Sequence, residues 1–320
     1  MRKEALVENN VTLSAVQQYH ADSHGNYTHD DSYAFLGFVE NLYFNSDRAI
    51  KLDENYQRAD GQPFAAYGVE IETECWSVKN HSVLAEILTQ IVLEKFGAGS
   101  RMFKLQRDGS LGTDSAIGVE IITQCWTKAR FRNEYKNFKT MYDTYFKNMQ
   151  ISCSRTGHCG MHVNISNANF GKTKKIQDES IRKLYYVINR HFELCRKAFL
   201  RGSDTGYCGR MDYSNARTLN LSAYGSNHYC CFNLGHYNTG RVEIRLPGGQ
   251  PTYGAFRNTM ETVFFLVERM KSLKWEQLDD IATVFSGCNQ YVYDRLETKC
   301  DLPLSTLQDI KRNVVTEALL

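Results

Sequence analysis

Glutamate recurs in one setting three times in this chain: GVEIETECW at 68–76, GVEIITQCW at 118–126 and the shorter GRVEIR at 240–245. Each segment holds an acid between Val and Ile, namely Glu70, Glu120 and Glu243. Two carboxylates about 5 Å apart repel by roughly 3 kcal/mol at an effective dielectric near 20. Three on one surface must therefore share protons or a cation. Magnesium is the natural choice, because it takes hard oxygen ligands and keeps positions for water and phosphate oxygens. The competing reading is that the three acids line a solvated face and never meet. Recurrence of the same residue after Val in all three segments favours the meeting.

Two further stretches support such a site. FKLQRDGSLG places Asp108 at the end of a short strand, just before a Gly-Ser turn. RTGHCGMHVNIS gives a glycine-containing loop and then a strand in which His162 and Asn164 share a face. His158, within the loop, reads as structural. Arg217 in ARTLNLS and Arg245 in VEIRLPGG occupy strand-like positions. Beside carboxylates they would pair with them; beside a metal-filled site they would clamp phosphate oxygens. A divalent metal with arginines on an antiparallel sheet suggests a nucleoside triphosphate. Neither a G-x-x-x-x-G-K-[ST] loop nor a strand-linked G-x-G-x-x-G occurs, which removes support from P-loop and Rossmann readings. Cys159 in GHCG resembles a nucleophile turn only superficially, since sequence neighbours rarely have dyad geometry.

The elements that would position these groups alternate between strand and helix. Val and Ile suit a half-buried strand, with Val69 and Ile71 on one face and Glu70, Glu72 and Glu74 on the other. Strands are expected at 67–75, 102–107, 117–124, 161–166, 217–223, 229–234 and 241–246. Helices are expected at 81–96, 128–149 and 178–200, then in AFRNTMETVFFLVERMKSL and in two closing stretches. Strand pairs without intervening helices predict an α+β fold with a largely antiparallel sheet and helices on one side. Four prolines and no Gly/Ser linker predict a single domain over 61–320. Residues 1–60 are polar and weakly periodic and read as an arm or lid, with His20, His24 and His29 among turn formers. The Gly-rich loop at 202–215 is a second lid candidate.

Bulk properties narrow the class. A net charge of +2 gives no argument for a nucleic-acid or membrane partner. No apolar run approaches the twenty or so residues that span a bilayer, and MRKEALVENNVTL is too polar for a signal peptide, so a cytoplasmic location is expected. Ten cysteines are scattered without paired C-x-x-C spacing and read as free thiols, several buried as small hydrophobes. Nineteen tyrosines are compatible with an oligomer interface or a peptide-binding surface and decide neither.

The ordered set YGVEIETE, RDGSLG with GVEII, TGHCGMHVNIS and GRVEIRL resembles the amidoligase family. That family belongs to the carboxylate–amine ligase superfamily, with glutamine synthetase and glutamate–cysteine ligase. The resemblance covers about 65–270, and YHADSHGNYTHDDSYAFLGFVE is similar to the family's lead-in. It implies a glutamine synthetase-like curved, mostly antiparallel sheet, with helices on its convex side and ATP with two or three Mg2+ ions on its concave side. Mn2+ is the alternative ion. Carried over by motif, Glu70, Glu72, Asp108, Glu120, His162 and Glu243 would be metal ligands. Arg245, Arg217 and Asn164 would contact the nucleotide or an acyl phosphate, and Glu70, Glu243 and Arg245 would carry the catalysis. Three departures stand out: Asn164 replaces a histidine, the segment from Asp108 to Glu120 is longer, and Gln106 replaces a lysine.

The activity so implied is ATP-dependent amide or isopeptide formation. A carboxylate attacks the γ-phosphorus to give an acyl phosphate and ADP, and an amine then displaces phosphate. Substrates would be carboxylate- and amine-bearing amino acids, peptides or proteins. Two other readings remain: phosphoryl or nucleotidyl transfer on the same scaffold, and a non-catalytic binding or assembly protein of a mobile element or virus.

Overall fold

The computed structural model describes residues 32–35, 65–78, 84, 88, 103–106, 111–113, 116–123, 126–153, 159–202, 206–225 and 227–316. Helix and antiparallel strand are mixed, as an α+β fold requires. The chain forms two compact units, each assembled from separate segments.

The first unit draws on 1–43, 68–162 and 248–253. Its strands are β1 (Ser32–Phe35), β2 (Tyr67–Cys75), β3 (Phe103–Gln106), β4 (Gly112–Thr113), β5 (Ala116–Thr123) and β6 (Ile151–Ser152). They run in the order β1-β3-β5-β2, with β4 against β5 and β6 against β2, and every pairing is antiparallel. Period-two alternation sends Val69, Ile71, Val119 and Ile121 into the core, where all are fully buried. Val69 N donates to Thr123 Oγ1 at 2.9 Å and closes one end of the β2–β5 ladder.

Gly118 explains one of the recurring glycines. A Cβ there would lie 2.2 Å from Leu111 Cβ, so the close approach of Leu111 beside β5 requires its absence. After β5, Thr127 caps helix α1 (Lys128–Thr140) by accepting from Arg130 N. Phe131 and Phe138, two turns apart, pack their rings on Trp126 at 5.0 and 6.0 Å between centroids. The helix continues as a π turn over Met141–Phe146 that buries Tyr142, Tyr145 and Phe146.

The second unit draws on 44–67, 163–247 and 254–320. It contains most of β7 (Met161–Ser166), with β8 (Phe232–Asn233) and β9 (Arg241–Ile244), in the antiparallel order β7-β9-β8. Its helices are α2 (Lys174–Arg190), α3 (Phe192–Ala198), α4 (Tyr253–Met270), α5 (Ile281–Phe285), α6 (Gln290–Lys299) and α7 (Leu304–Lys311). Thr173, Asp280 and Asn289 cap α2, α5 and α6 through their side chains. The buried Arg295 guanidinium donates to Ala198 O and Ala255 O, tying the end of α3 to the start of α4.

Several expected elements differ. The stretch 217–223 is two 3-10 turns, Ala216–Thr218 and Leu221–Ala223, rather than a strand. Asn220 Oδ1 accepts from Ser222 N, and Arg182 Nε takes Leu219 O, so side chains hold the backbone groups a ladder would need. The 229–234 strand shrinks to two residues because Asn233 Oδ1 turns the chain by accepting from Gly235 N. The 178–200 helix breaks at His191, and the closing region holds three short helices rather than two. Of the 81–96 helix, only Leu84 and Leu88 are described; both are helical and buried. The arm at 1–60 lies outside the described residues except for β1, which pairs with β3.

The described part of the 202–215 loop is pinned by Gly209 to Tyr229 and Cys231, and by Met211 N to Asn189 Oδ1. Nine of the ten cysteines are described; all nine are free and buried. No helix among the described residues is long and apolar enough to cross a membrane.

Candidate metal centre

In the first unit, antiparallel register sets Glu72 directly opposite Glu120. Both are buried, at 6% and 8% exposure. Like charges in that relation oppose folding unless something positive lies between them. His162, at the start of β7, supplies one partner. Its Nδ1 is 3.0 Å from Glu70 Oε2, and its Nε2 is 3.6 Å from Glu72 Oε1. Glu70 and Glu72 are two apart on β2, so strand alternation brings both to the same imidazole. The Glu72 carboxylate also accepts from Gly160 N, while Glu72 N donates to Gly160 O at 3.2 Å.

One ligand atom from each of Glu72, Glu120 and His162 lies within 4.8 Å of the others. Two carboxylates and an imidazole at that spacing are a donor set for a divalent cation. The Glu70–Nδ1 contact holds the ring so that Nε2 faces Glu72, an arrangement common around metal-bound histidines. The residues present therefore fit the expected ion. In this geometry Glu70 orients the histidine.

Glu74 continues the same face of β2, fully buried and opposite Gly118. Beside it, Cys159 is buried, and desolvation, with Cys153, Glu74 and Glu72 nearby, pushes its thiol far above the ordinary range. Cys153 is likewise pushed up, to about 12, chiefly by burial. Neutral buried thiols are poor nucleophiles, so Cys159 does not take that role. Gly160 belongs to the centre through its backbone, which no side-chain pattern could reveal. Glu74 was visible in the alternation, though not as a fully buried acid.

The other expected residues are placed as follows. Asp108 and His158 lie outside the described residues. Glu243 stands on β9 in the second unit, at 3% exposure, between Asn164 and Asn233 in cross-strand register. Asn233 Nδ2 donates to its Oε2 at 2.9 Å, and Arg245 Nη1 to its Oε1 at 2.7 Å. Asn164 is fully buried and accepts from Arg241 Nη1. Arg241 on β9 and Arg245 just beyond its end stand two residues to either side of Glu243. Neither Arg241 nor Asn233 figured in the sequence reading; Asn233 could be found only through register. Arg217 lies on a 3-10 turn, 66% exposed at its side chain, 3.6 Å from Glu276 and over the Trp275 ring.

No protein-family model matches the chain, and no curated protein matches it.

Proposed function

We propose that this protein is an ATP-dependent carboxylate–amine ligase that uses a divalent cation at Glu72, Glu120 and His162. The observation that carries the reading is the buried Glu72–Glu120 pair with the His162 imidazole beside it. Two buried acids face to face are costly without a cation, and a nucleotide-using enzyme needs that cation. The motif order gives the rest of the reading: ATP, the acyl phosphate, and a glutamine synthetase-like curvature of the sheet.

Magnesium bound there would neutralise triphosphate oxygens and polarise the phosphoryl group. The chain's own work is positioning. Glu70 holds His162 through Nδ1, and Gly160 N fixes one oxygen of Glu72. In the second unit, just beyond β9, Arg245 Nη1 donates to Glu243, whose other oxygen accepts from Asn233 Nδ2, and the guanidinium is of the type that binds phosphate oxygens.

The test is calorimetric titration with ATP, with and without Mg2+, on the wild type and on Glu72→Gln and Glu120→Gln. Magnesium-dependent binding lost in both variants supports the reading. Product analysis with pooled amines and carboxylates then separates activities: ADP, phosphate and an amide for a ligase, a phosphorylated or adenylylated acceptor for a transferase. A folded wild type that binds neither Mg2+ nor ATP sinks the proposal and favours a non-catalytic role.

A further inference from the structure

Tyr207 and Tyr229 are 61% and 64% exposed, yet their rings lie 6.0 Å apart at an interplanar angle of 28°. Two near-parallel rings this exposed leave aromatic faces open to water. The backbone builds the pair deliberately. Gly209 and Cys230 form a parallel bridge, with Gly209 N donating to Tyr229 O at 2.8 Å and Cys231 N to Gly209 O at 3.0 Å. That bridge brings the 207 and 229 side chains together.

The same segment is locked to Arg245. Arg245 N donates to Cys231 O at 3.0 Å, and Arg245 Nε donates to His228 O at 3.2 Å. The arginine thus grips the chain on both sides of Tyr229, while its Nη1 bonds Glu243. Asn233 reinforces the link, because its Oδ1 accepts from Asn227 N and its Nδ2 donates to Glu243. A π ledge and a guanidinium are consequently held in fixed relation on the second unit.

We propose that Tyr207 and Tyr229 are the base-stacking ledge for a nucleoside triphosphate whose phosphates engage Arg245, an inference that rests on the ATP-dependent reading above. A nucleobase is the planar group such a ligand brings, and its phosphates are the groups a guanidinium binds. Stacking is tolerant of base identity, so the ledge adds affinity for any purine nucleotide rather than selecting adenine.

The experiment compares Mg-ATP with Mg-tripolyphosphate, which has the phosphates and no base. Binding of both is measured for the wild type, Tyr207→Ala/Tyr229→Ala and Tyr207→Phe/Tyr229→Phe. The alanine pair is expected to weaken ATP about tenfold or more, from the usual worth of base stacking, and to leave tripolyphosphate unchanged. The phenylalanine pair should bind both ligands like the wild type. Saturation transfer from tyrosine ring protons to the adenine protons of ATP on the wild type gives a readout independent of substitution. Equal loss of ATP and tripolyphosphate, or unchanged ATP affinity in the alanine pair, overturns the ledge while ATP binding itself stands. A wild type that binds neither ligand overturns the ledge together with the ligase reading.

Discussion

Glu72 and Glu120 face one another across the β2–β5 ladder, both nearly sealed from water. Neutralising either one should therefore help the metal-free fold. Glu120→Gln is expected to raise the metal-free unfolding free energy by about 1–3 kcal/mol, the order of the repulsion relieved. On the proposed metal reading, Mg2+ or Mn2+ should raise the melting temperature of the wild type and leave that of the variant unchanged. Thermal unfolding with and without each ion measures both. A destabilised variant that still responds to metal would contradict the assignment.

His162 divides the acids of β2 between two tasks. With Nδ1 on Glu70 and Nε2 toward Glu72, loss of Glu70 should cost less than loss of Glu72. Glu70→Gln is expected to weaken Mn2+ binding 10- to 100-fold, the usual range for a group that orients a ligand. Glu72→Gln should remove detectable binding. Nitrogen NMR of the histidine ring supplies an independent check: on Mg2+ addition the Nε2 resonance should shift while Nδ1 keeps its hydrogen bond to Glu70.

Gly249 lies against the backbone of the strand end near Cys153. A Cβ there would lie 1.3 Å from Cys153 O, and its neighbour Cys159 is equally buried. Backbone cannot give way as a flexible side chain can. Gly249→Ala is expected to cost about 3 kcal/mol or more, at or beyond the upper end of ordinary overpacking. Denaturant unfolding, or soluble yield if the variant fails to fold, would show it. A variant as stable as the wild type would mean that the 248–250 turn is not held as described.

His191 makes stability depend on pH. Burial first, and Arg190 second, lower its folded pKa below the ordinary 6.5, and the ring contacts Leu278 O at 2.8 Å. A neutral ring donates Nε2–H to that carbonyl. Below pH 6.5 the unfolded chain takes up a proton that the folded chain resists, so folding free energy declines as pH falls from 6.5 toward the lowered value. His191→Gln, which keeps a donor and loses the titration, should flatten that part of the stability profile. An unchanged slope between the variant and the wild type would assign the acid sensitivity elsewhere.

Much of the centre was legible in the sequence because strand alternation is local. Val-Glu-Ile places an acid opposite two core residues wherever it forms a strand, and β2, β5 and β9 all do so. The facing of Glu72 and Glu120 was not legible, since register depends on partners far apart in the chain. The contact between His162 and Glu70 spans 92 positions for the same reason. The alternation of apolar and polar residues in ARTLNLS imitates a strand, while the Asn220 side chain supplies turn chemistry that overrides it. Ser32–Phe35 escaped notice as an isolated four-residue strand inside a polar stretch; only its pairing with β3 distinguishes it.

Among the described residues the chain passes between its two units at 67/68 and 162/163, both within strands, at 247/248 after β9, and at 253/254 in the first turn of α4. Neither unit is a single contiguous stretch of chain. During synthesis the first unit stays incomplete until residue 253 has left the ribosome, although β1 to β6 finish emerging about one hundred residues earlier. The opposed acids of β2 and β5 can therefore sit beside one another well before their unit has closed. On the proposed metal reading, cation supply at that moment would bear on folding yield.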